Sequence, residues 1–150
     1  MGTIEALSIS SARGMVKEPV GSASFIAGYG IEGDAHAGEW HRQVSLLPGE
    51  SIDRMKESMP DIDQGAFAEN IITRGLDLSP LDIGDTIIIN DAVVLEITQI
   101  GKECHSACAI QEATGECIMP TEGVFCRVIE GGIVKLGNPV SSNQGTQSTY

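Results

Sequence analysis

The sequence has few aromatic residues, few basic residues and no long apolar run. Its 150 residues include 3 Phe, 2 Tyr and 1 Trp, so the core of the fold must be mainly aliphatic. Nine basic residues against 21 acidic ones give a net charge of -12, which argues against nucleic acid or anionic lipid as a partner. No apolar run approaches the roughly 20 residues of a membrane-spanning helix, so we expect no membrane span.

The sequence also lacks a secretory signal at its start, and its cysteines are unevenly placed. All 4 of them, Cys104, Cys108, Cys117 and Cys126, lie in the last third of the chain. We therefore expect reduced thiols and a cytoplasmic location. A chain of this length predicts one domain that folds without disulfides or metal. Residues 141–150 are uncharged and rich in Ser, Thr and Gln. We place the domain at residues 1–140 and expect residues 141–150 to form a disordered tail.

Short runs of alternating or β-branched residues recur along the chain, with turn residues between them. They predict strands over residues 3–10, 22–27, 41–47, 70–74, 86–90, 92–100, 124–129 and 133–136. The Asn90-Asp91 pair predicts a tight turn, and Gly131-Gly132 predicts a hairpin between the last two strands. The pattern indicates a mainly β fold, a closed or nearly closed β-barrel whose loops supply the functional site.

One helix, with room for a second short one, interrupts the strands. It is predicted to start after Pro48 and to stop at Pro60. Ile52, Met55 and Met59 fall on one face of this helix, which makes it a packing element.

The most chemically distinctive stretch is Gly101-Lys-Glu-Cys-His-Ser-Ala-Cys-Ala-Ile110, which follows a predicted strand. Positive charge from Lys102 and a protonated His105 would lower the pKa of a thiol at Cys104 or Cys108 and make it a nucleophile or a soft-metal ligand. One alternative is that these cysteines are small buried hydrophobes. Another is a zinc site formed by Cys104, His105, Cys108 and Cys117, although the paired C-x-x-C spacing of zinc sites is missing.

Other candidate residues lie in the first half of the chain. Lys17 precedes a Pro-Val bend, where a lysine is ordinarily solvated but can project into a site. Asp34 and His36, with His41 nearby, lie in or after a glycine-rich loop over residues 28–38 that matches neither phosphate nor dinucleotide motifs. Their spacing alone favours a structural turn, with hard-metal or acid/base roles as the alternative. Asn70 can bond a ligand or cap a bulge.

Several short stretches in order resemble the MOSC domain, the family named after the C-terminal part of molybdenum cofactor sulfurase. The matching stretches are Lys17-Glu-Pro-Val20, Gly30-Ile-Glu-Gly-Asp-Ala-His-Ala-Gly38, Arg42-Gln-Val-Ser-Leu-Leu47, Phe67-Ala-Glu-Asn-Ile71, Gly101-Lys-Glu-Cys-His105 through Cys108, and Cys117-Ile-Met-Pro-Thr-Glu-Gly-Val-Phe125. The resemblance runs from about Ile4 to Val140. Two positions depart from it: Cys126 replaces a small residue such as alanine, and Asn138 replaces the acid of a closing Gly-Asp turn.

The resemblance implies a β-barrel that binds molybdenum cofactor or carries sulfur as a cysteine persulfide. It places the functional cysteine on Cys108, with Cys104 as the alternative. The candidate cofactor-binding residues are Lys17, Asp34, His36, Arg42, Asn70, Lys102 and His105. A cysteine desulfurase as sulfur donor and a molybdoenzyme as acceptor are the implied partners. We expect no pyridoxal phosphate on this chain, because no lysine has an evident Schiff-base setting.

Two other functions fit the same resemblance. One is a reductase-like protein, because relatives that act on N-hydroxylated compounds bind molybdenum cofactor. We expect this chain to have no second domain that supplies electrons, so it would need a partner for that activity. A non-catalytic module that binds or delivers the cofactor, or another small anion, is the second alternative.

Overall fold

The computed structural model describes residues 2–11, 17–40, 42–58, 60, 69–78, 80–100 and 123–143. Within these residues the strands are β1 (Gly2–Ile9), β2 (Glu18–Val20), β3 (Ser22–Ile26), β4 (Gly30–Ile31), β5 (Val44–Pro48), β6 (Ile71–Arg74), β7 (Thr86–Ile89), β8 (Val93–Ile100), β9 (Val124–Glu130), β10 (Gly132–Lys135) and β11 (Pro139–Asn143). One helix, α1 (Gly49–Ser58), follows β5 directly.

The larger sheet closes on itself. Its strands follow the order β11-β7-β8-β9-β5-β6-β1, and β1 pairs back with β11, so these seven strands form a barrel. β2 adds to β1 outside this ring, while β10, β3 and β4 form a separate small sheet. The prediction of a mainly β fold with a closed barrel and a short helix is confirmed.

The barrel interior is filled by aliphatic side chains, as the shortage of aromatic residues requires. The side chains of Leu46, Ile71, Ile87, Leu95 and Ile97 are almost completely buried in this core. Such residues alternate with outward-facing ones along β7 and β8, which is the period-two pattern that predicted the strands.

Helix α1 covers the outside of the barrel at β5 and β6. Ile52 is its buried apolar residue, as predicted. Burying one such side chain contributes roughly 1.5–3 kcal/mol to the packing of this helix against the sheet. The other two residues assigned to this face cannot be compared: Met59 and the side chain of Met55 lie outside the described residues.

The predicted hairpin between the last two of the sequence-derived strands is wrong. Both strands exist, but β9 pairs with β5 and β8, whereas β10 pairs with β3. Gly131 allows this change of partner, because a side chain there would collide with the backbone carbonyl of Phe25. The glycines therefore carry the chain from the barrel to the small sheet.

Three short strands lie where the sequence suggested bends, loops or a tail. β2 follows Lys17 directly, β4 lies inside the glycine-rich loop, and β11 continues to Asn143. Residues 144–150 lie outside the described residues, so the boundary of the tail stays a prediction. No helix among the described residues is long and apolar enough to cross a membrane.

Candidate functional site

Lys17, Asp34 and His36, which lie apart in the sequence, form one cluster in the structure. Lys17 Nζ donates to Asp34 Oδ1 at 2.7 Å and to Ser10 Oγ at 3.2 Å, and it contacts His36 Nδ1 at 2.9 Å. The Lys17 and Asp34 side chains are completely buried. The expectation of a solvated Lys17 is therefore wrong: a buried carboxylate pairs with its charge.

The carboxylate of Asp34 organises the backbone around this cluster. Its Oδ1 accepts a hydrogen bond from Ser10 N, and its Oδ2 accepts one from His36 N. Burial lowers the pKa of Lys17, and the hydrogen bond and negative charge of Asp34 and the charge of Glu69 act in the opposite direction. Because the three N–H donors of the Lys17 ammonium all have partners, none remains for a ligand.

The glycine-rich loop is held against the barrel by side chains that follow it. Gln43 donates to Gly38 O and accepts from Val128 N of β9, which connects the loop to the barrel wall. Trp40 Nε1 donates to His36 O at 2.7 Å, and its ring stacks on the imidazole with the planes 7° apart. The position of His36 is therefore fixed by its own loop.

Asn70 lies beside this cluster and is engaged by the scaffold. Its Oδ1 accepts from Ser45 N at 2.9 Å, and its Nδ2 donates to Ser8 O at 3.0 Å. The side chain therefore bridges β5 and β1 at the start of β6. The neighbouring Glu69 is fully buried and acts electrostatically on Lys17.

Arg42 occupies a different part of the barrel wall. Its Nε donates to Gln99 Oε1 at 2.9 Å, and its guanidinium lies over the Phe125 ring at 5.2 Å from the centroid. Among the described residues its two terminal nitrogens have no hydrogen-bond or ion-pair partner. Arg42 thus presents a fixed, half-buried fork of donors that matches a phosphate or carboxylate.

The predicted reactive residues Cys104 and Cys108, with Lys102, His105 and Cys117, belong to residues 101–122, which we call the cysteine segment. This segment and His41 lie outside the described residues. Its position in the chain is nevertheless defined, because it starts after Ile100 and ends before Gly123, at the paired ends of β8 and β9. Gln99 and Phe125, the two partners of Arg42, flank it in the chain.

A cavity of about 730 Å³ lies at this end of the barrel. Its lining combines apolar side chains such as Leu76, Leu81 and Val124 with Ser51 and Arg54 of α1. Ile100 and Gly123 also line it, so the cysteine segment begins and ends at the cavity wall. A cavity of this size can hold a small-molecule ligand.

The strand directions separate this cavity from the Lys17 cluster. β5 and β6 run parallel and β1 runs antiparallel to β6. The end of β1, which leads to Ser10, therefore lies at the starts of β5 and β6, whereas the cavity lies beyond their ends at Pro48 and Gly75. The Lys17 cluster and the cavity therefore occupy opposite ends of this wall.

Sequence reasoning missed Ser10, Glu69, Trp40 and Gln99 as parts of these arrangements. Only Glu69 carried a usable signal, because it lies inside the Phe67–Ile71 stretch of the resemblance. Ser10 and Gln99 meet their partners only when the chain folds, and Trp40, although close to His36 in the chain, belongs to no motif that would signal its contact. Groups of three or more His, Cys, Asp or Glu residues that could hold a metal ion are absent from the part of the chain that the structure describes.

The two positions that depart from the resemblance are structural. Cys126 on β9 is completely buried, whereas its neighbour Arg127 is exposed. Burial, followed by the charge of Glu96, raises the pKa of the Cys126 thiol to about 12. The Asn138 side chain accepts a hydrogen bond from Lys135 N at 2.8 Å. A neutral amide oxygen therefore stabilises this turn where a carboxylate was expected.

Solved structures with the same fold are known. The YuaD protein from Bacillus subtilis superposes with a TM-score of 0.71 at 22% identity, over 93% of each chain. YiiM from Geobacillus stearothermophilus has a TM-score of 0.69 at 17% identity, over 95% of this chain and 75% of that one. YiiM from Escherichia coli has a TM-score of 0.67 at 19% identity, over 95% and 69%. These identities establish the fold alone.

Sequence comparison gives the family directly. No sequence among the curated proteins matches this chain significantly. The family model for the MOSC domain matches residues 33–141, most of the chain, and these residues include the cysteine segment and both arginine contacts described above. The protein therefore belongs to the MOSC domain family.

Proposed function

We propose that this MOSC domain binds molybdenum cofactor, or a similar small anionic ligand, near the cysteine segment and carries sulfur there as a persulfide on Cys108 or Cys104. The observation that supports this most directly is the position of Arg42. Its guanidinium is held by Gln99 and Phe125, which lie on the strands that lead into and out of the cysteine segment. A cation whose two terminal nitrogens have no partner among the described residues therefore lies near the start of the segment that carries the thiols.

The described residues fit the anionic part of such a cofactor. Two terminal nitrogens of one guanidinium match two oxygens of a phosphate, and Phe125 and Gln99 hold the group in place without using those nitrogens. The described residues offer no set of metal ligands. When bound, the cofactor would supply a soft metal centre to which sulfur can be transferred or bound.

The sulfur step uses the chain's own thiol. The thiolate of Cys108 or Cys104 attacks the outer sulfur of a persulfide on a cysteine desulfurase, forming a new S–S bond as the donor's S–S bond breaks. The donor cysteine leaves as a thiolate, so there is no net oxidation. Lys102 and His105 would favour the attacking anion through their positive charge. This chemistry needs free thiols and therefore a reducing compartment such as the cytoplasm.

Replacing Arg42 tests the anion-binding part of this proposal. We expect Arg42→Gln to bind the cofactor about tenfold to a hundredfold more weakly, because a hydrogen bond to a charged group contributes about 1.5–3 kcal/mol. Arg42→Lys should recover only part of the affinity, since lysine keeps the charge but lacks the fork. Pterin retained by the purified protein, measured by fluorescence after oxidation, and direct titration give the affinity.

Arg127→Gln is the matched control. Arg127 lies on the same strand as Phe125 but is 53% exposed and pairs with Glu96 at 2.7 Å. Its replacement should leave cofactor binding unchanged. Equal retention of pterin by the Arg42→Gln and Arg127→Gln variants would reject the assignment of Arg42.

The cavity favours a second candidate, a module that binds and delivers the ligand without chemistry. Its lining is formed by the barrel and α1, so it requires no thiol. Full cofactor binding by a Cys104→Ser, Cys108→Ser double variant, with no persulfide on the wild-type protein, would support this second function.

A further inference from the structure

We propose that Lys17 is a positioning residue which, with Asp34, holds the imidazole of His36 in the neutral tautomer that carries its hydrogen on Nε2. In this form His36 serves as a hydrogen-bond donor through Nε2, and its partner group must be an acceptor oxygen or nitrogen. The assignment goes beyond the proposed function and does not depend on which ligand the domain binds.

The contact between Lys17 and His36 determines the tautomer. A lysine ammonium has hydrogen-bond donors and no acceptor, so His36 Nδ1, 2.9 Å from Lys17 Nζ, must accept. A hydrogen on Nδ1 would point at the ammonium. The neutral ring must then carry its hydrogen on Nε2.

Asp34 keeps Lys17 in the charged, donating form. Its Oδ1 lies 2.7 Å from the ammonium, and both side chains are completely buried. Oδ2 is 3.9 Å from His36 Nδ1, but it accepts its hydrogen bond from the His36 backbone N at 3.1 Å. The Asp34 carboxylate therefore binds Lys17 and backbone N–H groups, and Nδ1 of the His36 ring faces Lys17.

The ring is also fixed in orientation. Trp40 stacks nearly parallel to the imidazole at 6.2 Å between centroids, and its indole N–H donates to the His36 carbonyl. The ring cannot turn over without breaking the Lys17 contact. Among the described residues, the charged groups that act on Lys17 are Asp34 and Glu69, and both favour the buried ammonium.

This arrangement excludes a metal ion at His36. A metal on Nδ1 would displace Lys17, and a metal on Nε2 would move the hydrogen to Nδ1, against the ammonium. The resemblance makes both Lys17 and His36 candidates for cofactor binding. The geometry gives the two residues different roles. His36 can face a ligand, because 21% of its side chain is exposed. Lys17 is buried and acts only by holding the His36 ring.

Nitrogen NMR of histidine-labelled protein without any ligand measures the tautomer directly. The chain has 3 histidines, and His36→Gln identifies the His36 signals. At neutral pH we expect Nδ1 in the unprotonated range and Nε2 in the protonated range. A protonated Nδ1 in the wild-type protein would overturn the proposal whatever the variants do.

Lys17→Met tests the cause. It removes the donor while keeping a side chain of similar length, and we expect the His36 Nδ1 signal to move to the averaged position of a mixed or protonated ring. Because Asp34 would then be buried without its partner, Lys17→Met with Asp34→Asn is the second variant and should show the same shift. Lys135→Met, at an exposed lysine, is the control. An unchanged His36 signal in either folded Lys17 variant would show that lysine does not set the tautomer.

This experiment separates the inference from the proposed function. The NMR signals report on the ring in the ligand-free protein, so a failure to bind cofactor or to carry sulfur leaves the result unaffected. Conversely, a His36 ring with its hydrogen on Nδ1 would not change the results expected for the Arg42 and cysteine variants.

Discussion

Cys126 illustrates how its surroundings decide whether a thiol is reactive. It lies on the inward face of β9, has no exposed surface and is free of any disulfide. Burial, with a smaller contribution from Glu96, raises its pKa to about 12 from the ordinary value of 9.0. The thiol is therefore protonated at neutral pH and behaves as a small apolar side chain.

This raised pKa makes a specific prediction about stability in alkali. The unfolded chain loses the thiol proton near pH 9, whereas the folded chain keeps it until near pH 12. Between these values the folded state binds more protons, so the free energy of unfolding falls as pH rises, by up to about 1.4 kcal/mol per pH unit from this group.

Urea unfolding of the wild type and of Cys126→Ala between pH 8 and pH 10.5 measures the effect. Other titrating groups are shared, so the difference between the two proteins isolates the thiol. We expect the stability advantage of the wild type to shrink above pH 9. A difference that stays constant across this range would show that the thiol is not shielded as the structure indicates.

At the level of secondary structure, the β7–β8 hairpin was predictable from its turn. Asn90 and Asp91 both have φ of +54°, the left-handed conformation that tight hairpins require. Asn and Asp tolerate this conformation better than other non-glycine residues. The two strands then pair in register from Ile89 and Val93 outward.

Substitution of Asp91 tests this turn. Asp91→Val should destabilise the protein by about 1–2 kcal/mol, because a β-branched side chain is strained at positive φ. Asp91→Gly, which accepts the same backbone without strain, should be at least as stable as the wild type. Thermal unfolding of both variants gives the comparison, and equal stability of the Val and Gly variants would contradict the turn geometry.

Other elements could not be assigned from local sequence. Buried and more exposed side chains alternate along β1, β7 and β8 because they face the inside and the outside of the barrel in turn. These strands were therefore predictable. The pairing of β10 with β3 was not, because it depends on a close backbone approach of Gly131 to a strand about one hundred residues earlier. β2 and β4 are only three and two residues long, too short to show a period.

The same limit applies to the candidate site. Glycine content and polar residues located the loop with Asp34 and His36, but the burial of Lys17 depends on its meeting Asp34 in space. A lysine is solvated by default, and sequence offers no sign of a partner that folding supplies. The resemblance makes Arg42 a candidate, whereas its contacts with Gln99 and Phe125 exist only in the folded barrel.

For the whole molecule, barrel closure explains how distant parts of the chain meet. β1 pairs with β11, so the first and last strands close the ring. β5, which follows Arg42, pairs with β9, which follows the cysteine segment. The Lys17 cluster lies at one end of the β1–β5–β6 wall and the cysteine segment begins at the other. Arg42 connects these regions, since it precedes β5 while its side chain reaches Gln99 and Phe125.

Intact mass spectrometry tests the proposal that the cysteine segment carries sulfur. The protein is purified without reductant and incubated with a cysteine desulfurase and cysteine. On this proposal we expect an added mass of about 32 Da, one sulfur atom, on Cys108 or Cys104, which is lost in the corresponding Cys→Ser variant and retained in Cys126→Ala. An unmodified protein, or an adduct that persists when both Cys104 and Cys108 are replaced by serine, would contradict it.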